Sequence, residues 1–192
     1  MYLLYYAFPI LLFASSLFAS PKAYIEGRAG AFYFQDHLPR SIYGNTTVDL
    51  EAEGGLFFKD KIAVWANFNY NFASGSSLEL FHKTHLTLLS LSVGPKFYIF
   101  GIDRRLFNPY LGIGVAGTFL KTSDHSPYVE KHLHRYRFAG VAKSGFLICK
   151  NSICIDLFFD YYISNSQGLA SAVKNPVNIG GFKTGLGMGY LF

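Results

Sequence analysis

The sequence predicts an all-β fold, an eight-stranded antiparallel transmembrane up-and-down β-barrel, on three observations. Apolar residues recur at every second position in one segment after another, which is the period of a strand with one greasy and one polar face. The connections between these segments alternate long and short. Beyond residue 20 no run approaches the about 18 consecutive apolar residues of a membrane helix, although 51% of the chain is hydrophobic and only 15% is charged. An 18% aromatic content and 19 glycines also suit a wall in which only alternate residues meet lipid.

The N-terminus stands apart. Residues 1–18 are almost entirely apolar and give way to Ala19-Ser20-Pro21-Lys22. This pattern predicts a secretory signal peptide over 1–20, cut near Ala19, Ser20 or Ala23, and a single barrel domain over 21–192. No Lys or Arg precedes the apolar run and Pro21 adjoins the cleavage region, so an uncleaved anchor is the alternative. The net charge of +5 is small and forms no basic run interleaved with aromatics, which argues against a nucleic-acid partner.

Eight strands are expected at 24–34, 46–58, 62–73, 85–100, 109–120, 132–149, 153–164 and 177–192. Long polar connections fall at 35–45, 74–84, 121–131 and 165–176, and short ones at 59–61, 101–108 and 150–152. In the second strand Val48, Leu50, Ala52, Leu56 and Phe58 alternate with Asp49, Glu51 and Glu53. In the third, Ile62, Val64, Ala66, Phe68, Tyr70 and Phe72 alternate with Trp65, Asn67, Asn69 and Asn71. The seventh sets Ile153, Ile155, Leu157, Phe159, Tyr161 and Ile163 against Cys154, Asp156, Phe158, Asp160 and Tyr162. The eighth sets Phe182, Leu186, Met188, Tyr190 and Phe192 against Gly181, Lys183, Gly185, Gly187 and Gly189.

A soluble sandwich would turn the apolar face to a core; a membrane barrel turns it to lipid and the polar face inward. Aromatics gather in two bands, Tyr33, Tyr70, Phe119, Tyr136 and Tyr161 toward the long connections and Phe57, Phe97, Phe107, Tyr190 and Phe192 toward the short ones. Two such bands are what amphipathic rings form at two membrane interfaces.

These features resemble the small eight-stranded outer-membrane barrels, the OmpA-like and OmpX-like β-barrel domain group. The likeness covers about all of the chain after the signal. It rests on strand number, loop asymmetry, Asn108-Pro-Tyr-Leu-Gly-Ile-Gly-Val-Ala116 opening the fifth strand, and the closing Gly-Met-Gly-Tyr-Leu-Phe192. The resemblance implies a monomer in the bacterial outer membrane, with short turns and termini in the periplasm. It also implies that Tyr190 and Phe192 form a C-terminal insertion signal read by the barrel-assembly machinery.

Twelve charges fall on the inward parity: Glu26, Asp49, Glu51, Glu53, Asp156 and Asp160 against Arg28, Lys96, Arg135, Arg137, Lys143 and Lys183. An eight-stranded barrel is just wide enough for side chains to fill it, and an unpaired charge there is costly. Six acids against six bases therefore predict a nearly neutral plug that closes the lumen, with an ion path opened by exchange of partners as the alternative. Lys183 is expected to meet an interior carboxylate, with Glu26 on the adjoining first strand as the candidate.

Cys149 and Cys154 flank Lys150-Asn-Ser-Ile153. A two-residue Asn151-Ser152 loop sets them face to face with Cα atoms about 4.5–5.5 Å apart, within disulfide range, and two free thiols are the alternative. All six histidines, His37, His82, His85, His125, His132 and His134, lie in or beside the long connections. Exposed loops tolerate His, so no metal site is assigned; Zn²⁺ binding and charging near pH 5–6 remain alternative readings.

Tyr162-Ile-Ser-Asn165 with Asn175-Pro176 faintly resembles elements of outer-membrane lipid A deacylases. Tyr162 stands where that family has His, and no Asp or Glu follows Asp160, so no catalytic residue is assigned to Ser164. No phosphate-binding glycine loop is present and no cofactor is expected. The function read from these residues is structural and interactive: envelope integrity and long loops that meet lipopolysaccharide, host or envelope proteins. Arg40, Lys83, Lys121 and Lys131 are the loop bases placed for lipid phosphates. A small pore or solute-uptake barrel is the second reading and a lipid A hydrolase the third.

Overall fold

Period-2 alternation gives every strand two faces, and a sheet of such strands leaves no edge unpaired only if it closes on itself. The computed structural model describes residues 22–76, 83–102, 106–124, 132–164 and 178–192. In chain order the elements are β1 (Ala23–Phe34), α1 (His37–Tyr43), β2 (Thr46–Lys59), β3 (Ile62–Ser76), β4 (Lys83–Tyr98), β5 (Phe107–Asp124), β6 (His132–Lys150), β7 (Ile153–Ile163) and β8 (Gly181–Leu191). Each strand pairs antiparallel with the next, and β8 returns to β1 in one closed barrel. The closing seam runs from Tyr24 opposite Leu191 to Phe34 opposite Gly181.

The outer wall is apolar. Ile25, Val48, Leu91, Ile113, Val115, Leu186 and Met188 all stand exposed on it. The inner face holds Asp49, Asn69, Asp156 and Asp160, each 0% exposed. This inversion of a soluble sandwich is what a lipid solvent demands of a closed sheet. Among the described residues no helix is long and apolar enough to cross a membrane; the strands make the crossing.

Several boundaries differ from those expected, because ladder pairing continues where the apolar face stops. Ser74, Gly75 and Ser76 still pair with His85, Thr84 and Lys83, which lengthens β3 and starts β4 earlier. β5 runs on to Asp124, and β8 begins at Gly181. The connection 35–45 contains α1: Asp36 caps it by accepting from the Leu38 amide at 3.2 Å, and Gly44, at φ 85°, ends it with its amide on the Arg40 carbonyl at 3.0 Å. At the other end of the barrel Asn151 takes φ 58°, the left-handed conformation that a tight two-residue hairpin requires.

Inside, the apolar residues form plugs. Phe32, Phe34, Ala73, Leu86, Leu88, Leu120 and Ile179 cluster at the loop end, with Tyr43 of α1 packed on them. Phe57, Ala63, Tyr98, Ile102, Tyr110, Leu147 and Cys154 cluster at the turn end. Phe57 is thus an interior plug residue, 5% exposed, and not a member of the outer aromatic band. Its neighbours Leu56 and Phe58 take the outward positions, so strand parity decides its side.

Candidate functional site

Between the two plugs lies a belt of ten fully buried charges: Glu26, Asp49, Glu51, Glu53, Asp156 and Asp160 with Arg28, Lys96, Lys143 and Lys183. Arg28 is its centre. Its guanidinium lies 3.0 Å from Glu26, 3.1 Å from Glu53, 2.6 Å from Asp156, 3.6 Å from Asp160 and 3.8 Å from Glu51. A planar fork with five donors is the side chain suited to gathering several carboxylates. Lys143 joins Asp160 at 2.8 Å and Glu53 at 2.9 Å, and Lys96 pairs with Glu53.

Lys183 meets Asp49 at 2.9 Å and Glu51 at 2.7 Å, two carboxylates of β2 rather than Glu26. Register explains the difference. Glu26 stands opposite Gly189, six residues along β8 from Lys183, about 20 Å at a strand's rise per residue. Parity places both side chains inside without bringing them level.

Among the described residues the fully buried set counts six acids and four bases of the twelve charges expected inside. Arg137 is only half-buried, and the side chain of Arg135 lies outside the described residues. Neutral donors serve the surplus carboxylates. Asn67 donates to Glu51, Asn69 to Asp49 at 2.6 Å, Tyr24 to Glu53 at 2.8 Å and Tyr110 to Asp156 at 2.8 Å. Hydrogen bonds to an ionised acceptor are about twice as strong as neutral ones.

Each of the four buried bases also lies over an aromatic ring: Arg28 over Phe158 at 5.1 Å, Lys96 over Tyr110 at 4.5 Å, Lys143 over Trp65 at 4.8 Å and Lys183 over Tyr162 at 4.3 Å. A desolvated cation gains about 2 kcal/mol from such a face. These rings carry no role in the sequence reading. The signal that marks them is a large aromatic on the polar parity of a strand, as at Trp65, Phe158 and Tyr162.

The belt leaves little open space. The cavity between it and the loop-end plug, lined in part by Asn71, Ser90, Tyr162, Ser164 and Lys183, measures about 20 Å³. That beside the turn-end plug, reached by Tyr24, Glu26 and Phe57, measures about 10 Å³. A single water needs about 10–15 Å³ measured this way, so each has room for roughly one.

Eight strands, an apolar outside and a charged inside point to one architecture, and solved structures share it. OprG, an outer membrane protein of Pseudomonas aeruginosa, superposes with a TM-score of 0.71 at 17% identity, over 89% of this chain and 95% of that one. Neisserial surface protein A gives 0.56 at 12% identity over 90% and 96%. Ail, the attachment invasion locus protein of Yersinia pestis, in complex with the heparin analogue sucrose octasulfate, gives 0.55 at 15% identity over 90% and 98%. Its fold is that of the small eight-stranded outer-membrane barrels. No protein-family model matches the chain, and no curated protein sequence matches it.

In this barrel Cys149 and Cys154 stand opposite each other across the β6–β7 turn and are joined by a disulfide, Cα to Cα 4.1 Å. Tyr190 and Phe192 lie exposed at the turn end of β8, ring centroids 5.0 Å apart, and the Phe192 amide donates to the Ala23 carbonyl at 2.8 Å. The histidines are dispersed. His37 is exposed at the start of α1, and His85 stacks on Phe72 and shares a 3.0 Å hydrogen bond with Ser74. His132 and His134 stand opposite Ser123 and Lys121 in β6, their side chains outside the described residues, as are His82 and His125 altogether. Among the described residues no three His, Cys, Asp or Glu side chains group to hold a metal.

Ser164 is buried, facing the lumen cavity with Lys183 and Asn71 rather than the lipid-facing wall where a lipid ester would lie. Asn165, Asn175 and Pro176 fall outside the described residues. Of the loop bases, Arg40 is spent on its own loop, donating to the Asp36 and Gln35 carbonyls at 3.2 and 3.1 Å. Lys83 and Lys121 are exposed, and Lys131 is outside the described residues.

Proposed function

We propose that the chain is a sealed barrel that works as a rigid staple in the bacterial outer membrane and presents its long connections to partners outside. The observation that carries this reading is the filled lumen: an apolar plug at each end and, between them, a buried charge belt whose flanking cavities have room for roughly one water each. Removing one partner of a buried ion pair costs about 3–5 kcal/mol, and ions would have to displace several such pairs to pass. The barrel is inserted as a monomer by the assembly machinery, which reads Tyr190 and Phe192.

Loop contacts with lipopolysaccharide, host surfaces or envelope proteins complete the function. The neighbour Ail is known in complex with the heparin analogue sucrose octasulfate; here exposed Lys83 and Lys121 stand at the loop end to meet anionic groups. Current across planar bilayers tests the central claim. The folded protein is expected to be electrically silent, and stable stepwise openings in the unmodified protein would replace this reading with that of a small pore.

A further inference from the structure

The outer wall of the barrel is not uniform. Across β3 to β6 the register sets Phe68, Leu91, Gly117 and Phe138 in one outward row. Gly117 leaves a gap in it: a Cβ built there would meet nothing within 4 Å. The next row toward the loops holds Leu89, Phe119 and Tyr136, the two rings 5.0 Å apart. The row toward the turns ends in a second outward glycine, Gly140, opposite Val115.

Phe138 therefore rises between two bare positions and is 89% exposed, with Tyr136 above it at 81%. Together these residues bound an apolar groove of about 290 Å³ on the lipid-facing side, at the lower edge of the about 300–1,000 Å³ common for small-ligand sites. The apolar band ends directly above it, where Lys121 pairs in register with Thr87 and His134. Lys121 lies four residues beyond Gly117 on the same outward parity, about 13 Å along the strand.

A dent in a membrane wall fills with hydrocarbon, and a cation at its upper rim selects what the hydrocarbon is attached to. We propose that this groove seats an acyl chain of lipid A, with a lipid A phosphate held by Lys121. The proposal rests on the outer-membrane reading, which supplies the lipid. It goes beyond that reading by moving the contact from the loops to the wall. The rings of Phe138 and Tyr136 are the ribs that grip the chain, and Gly117 is the floor that admits it.

Native mass spectrometry of the detergent-folded protein mixed with lipid A, or with phosphatidylglycerol, tests this. The unmodified barrel is expected to retain one lipid A and to hold phosphatidylglycerol at least tenfold more weakly. Gly117→Leu places its Cβ in open space; it is expected to keep the heat-modifiable mobility of the folded barrel and to weaken lipid A retention at least tenfold. Phe138→Ala removes the opposite rib and should act in the same direction. Lys121→Gln should weaken lipid A at least tenfold and leave dephosphorylated lipid A unaffected. Equal retention by the unmodified protein, Gly117→Leu and Phe138→Ala overturns the groove, as does equal retention of the two lipids. Heat-modifiable gel mobility separates the two levels: its absence in the unmodified protein overturns the membrane barrel itself, whereas a folded barrel indifferent to these variants overturns only the groove.

Discussion

Arg28 on β1 and Asp156 on β7 meet at 2.6 Å across a strand that separates them. The residue between them in register is Gly187 of β8, opposite both. A Cβ at this position would run into the Glu26 carboxylate and lie 2.9 Å from Arg28 Cγ. The glycine row of β8 is therefore the channel through which the first and seventh strands exchange charge.

Gly187→Val should wedge this seam apart. Overpacking a filled interior costs about 1–3 kcal/mol, and the displaced Arg28 pairs add to it. The measurement is the urea midpoint of the barrel in lipid vesicles, followed by gel mobility. Gly27→Val, on the outward face with no atom near its Cβ, should leave the midpoint within experimental scatter. An unchanged midpoint for Gly187→Val would remove the seam argument.

The buried bases should not be equivalent. Arg28 serves five carboxylates, whereas Lys96 pairs with Glu53, which Arg28 and Lys143 also hold. Arg28→Met leaves several acids short of a partner and should cost about 3–5 kcal/mol. Lys96→Met should cost less. Equal losses in the same urea assay would show that charge count, not the branching of the network, sets stability.

The β6–β7 bridge predicts a chemical count. Alkylation of the denatured, unreduced protein should add no label, and prior reduction should add two, read by intact mass. Closing so short a loop stabilises by about 2 kcal/mol in the chain-entropy description. Cys149→Ser with Cys154→Ser should lower the urea midpoint by that order and leave gel mobility folded.

The loop end carries a pH-dependent clasp. The Asn178 amide donates to Asp36 at 3.0 Å and, with the Leu38 amide, holds that carboxyl below its ordinary range. A carboxyl whose pKa falls on folding adds stability above its unfolded value, about 3.9, and loses that contribution as pH drops through the lower folded value. Protection of the Leu38 and Asn178 amides, taken as exchange relative to the intrinsic rate at each pH, should therefore hold at pH 5 and fall only below about pH 4. In Asp36→Ala that protection should already be lost at pH 7. Protection that falls between pH 7 and 5 in the unmodified protein would count against the clasp.

Much of this was legible from residue order. Strand parity alone sorted Asp49, Glu51 and Glu53 from Val48 and Leu50, because a one-residue slip would bury one set in lipid. The loop alternation gave the topology. What escaped the sequence depends on stagger between strands. Lys183 and Glu26 share a face but not a level, and only the closing register shows that Asp49 and Glu51 lie within reach. Phe57 escaped because it adjoins two outward apolar residues, so composition masked its parity. The helix α1 was within reach: Asp36 ahead of the turn, Pro39 in the first turn and Gly44 after the last are stop and start signals, obscured by the shortness of the segment.

The membership of the charge belt has a consequence for how the barrel is made. Its acids come from β1, β2 and β7, and its bases from β1, β4, β6 and β8. No stretch of the chain short of the whole of β1 to β8 contains a complete set of partners. A partly wrapped intermediate must therefore hold naked ions against hydrocarbon, a penalty that vanishes only when the last stave arrives. The belt acts as a proofreading device: it lets the bilayer accept a finished cylinder and reject every fragment of one.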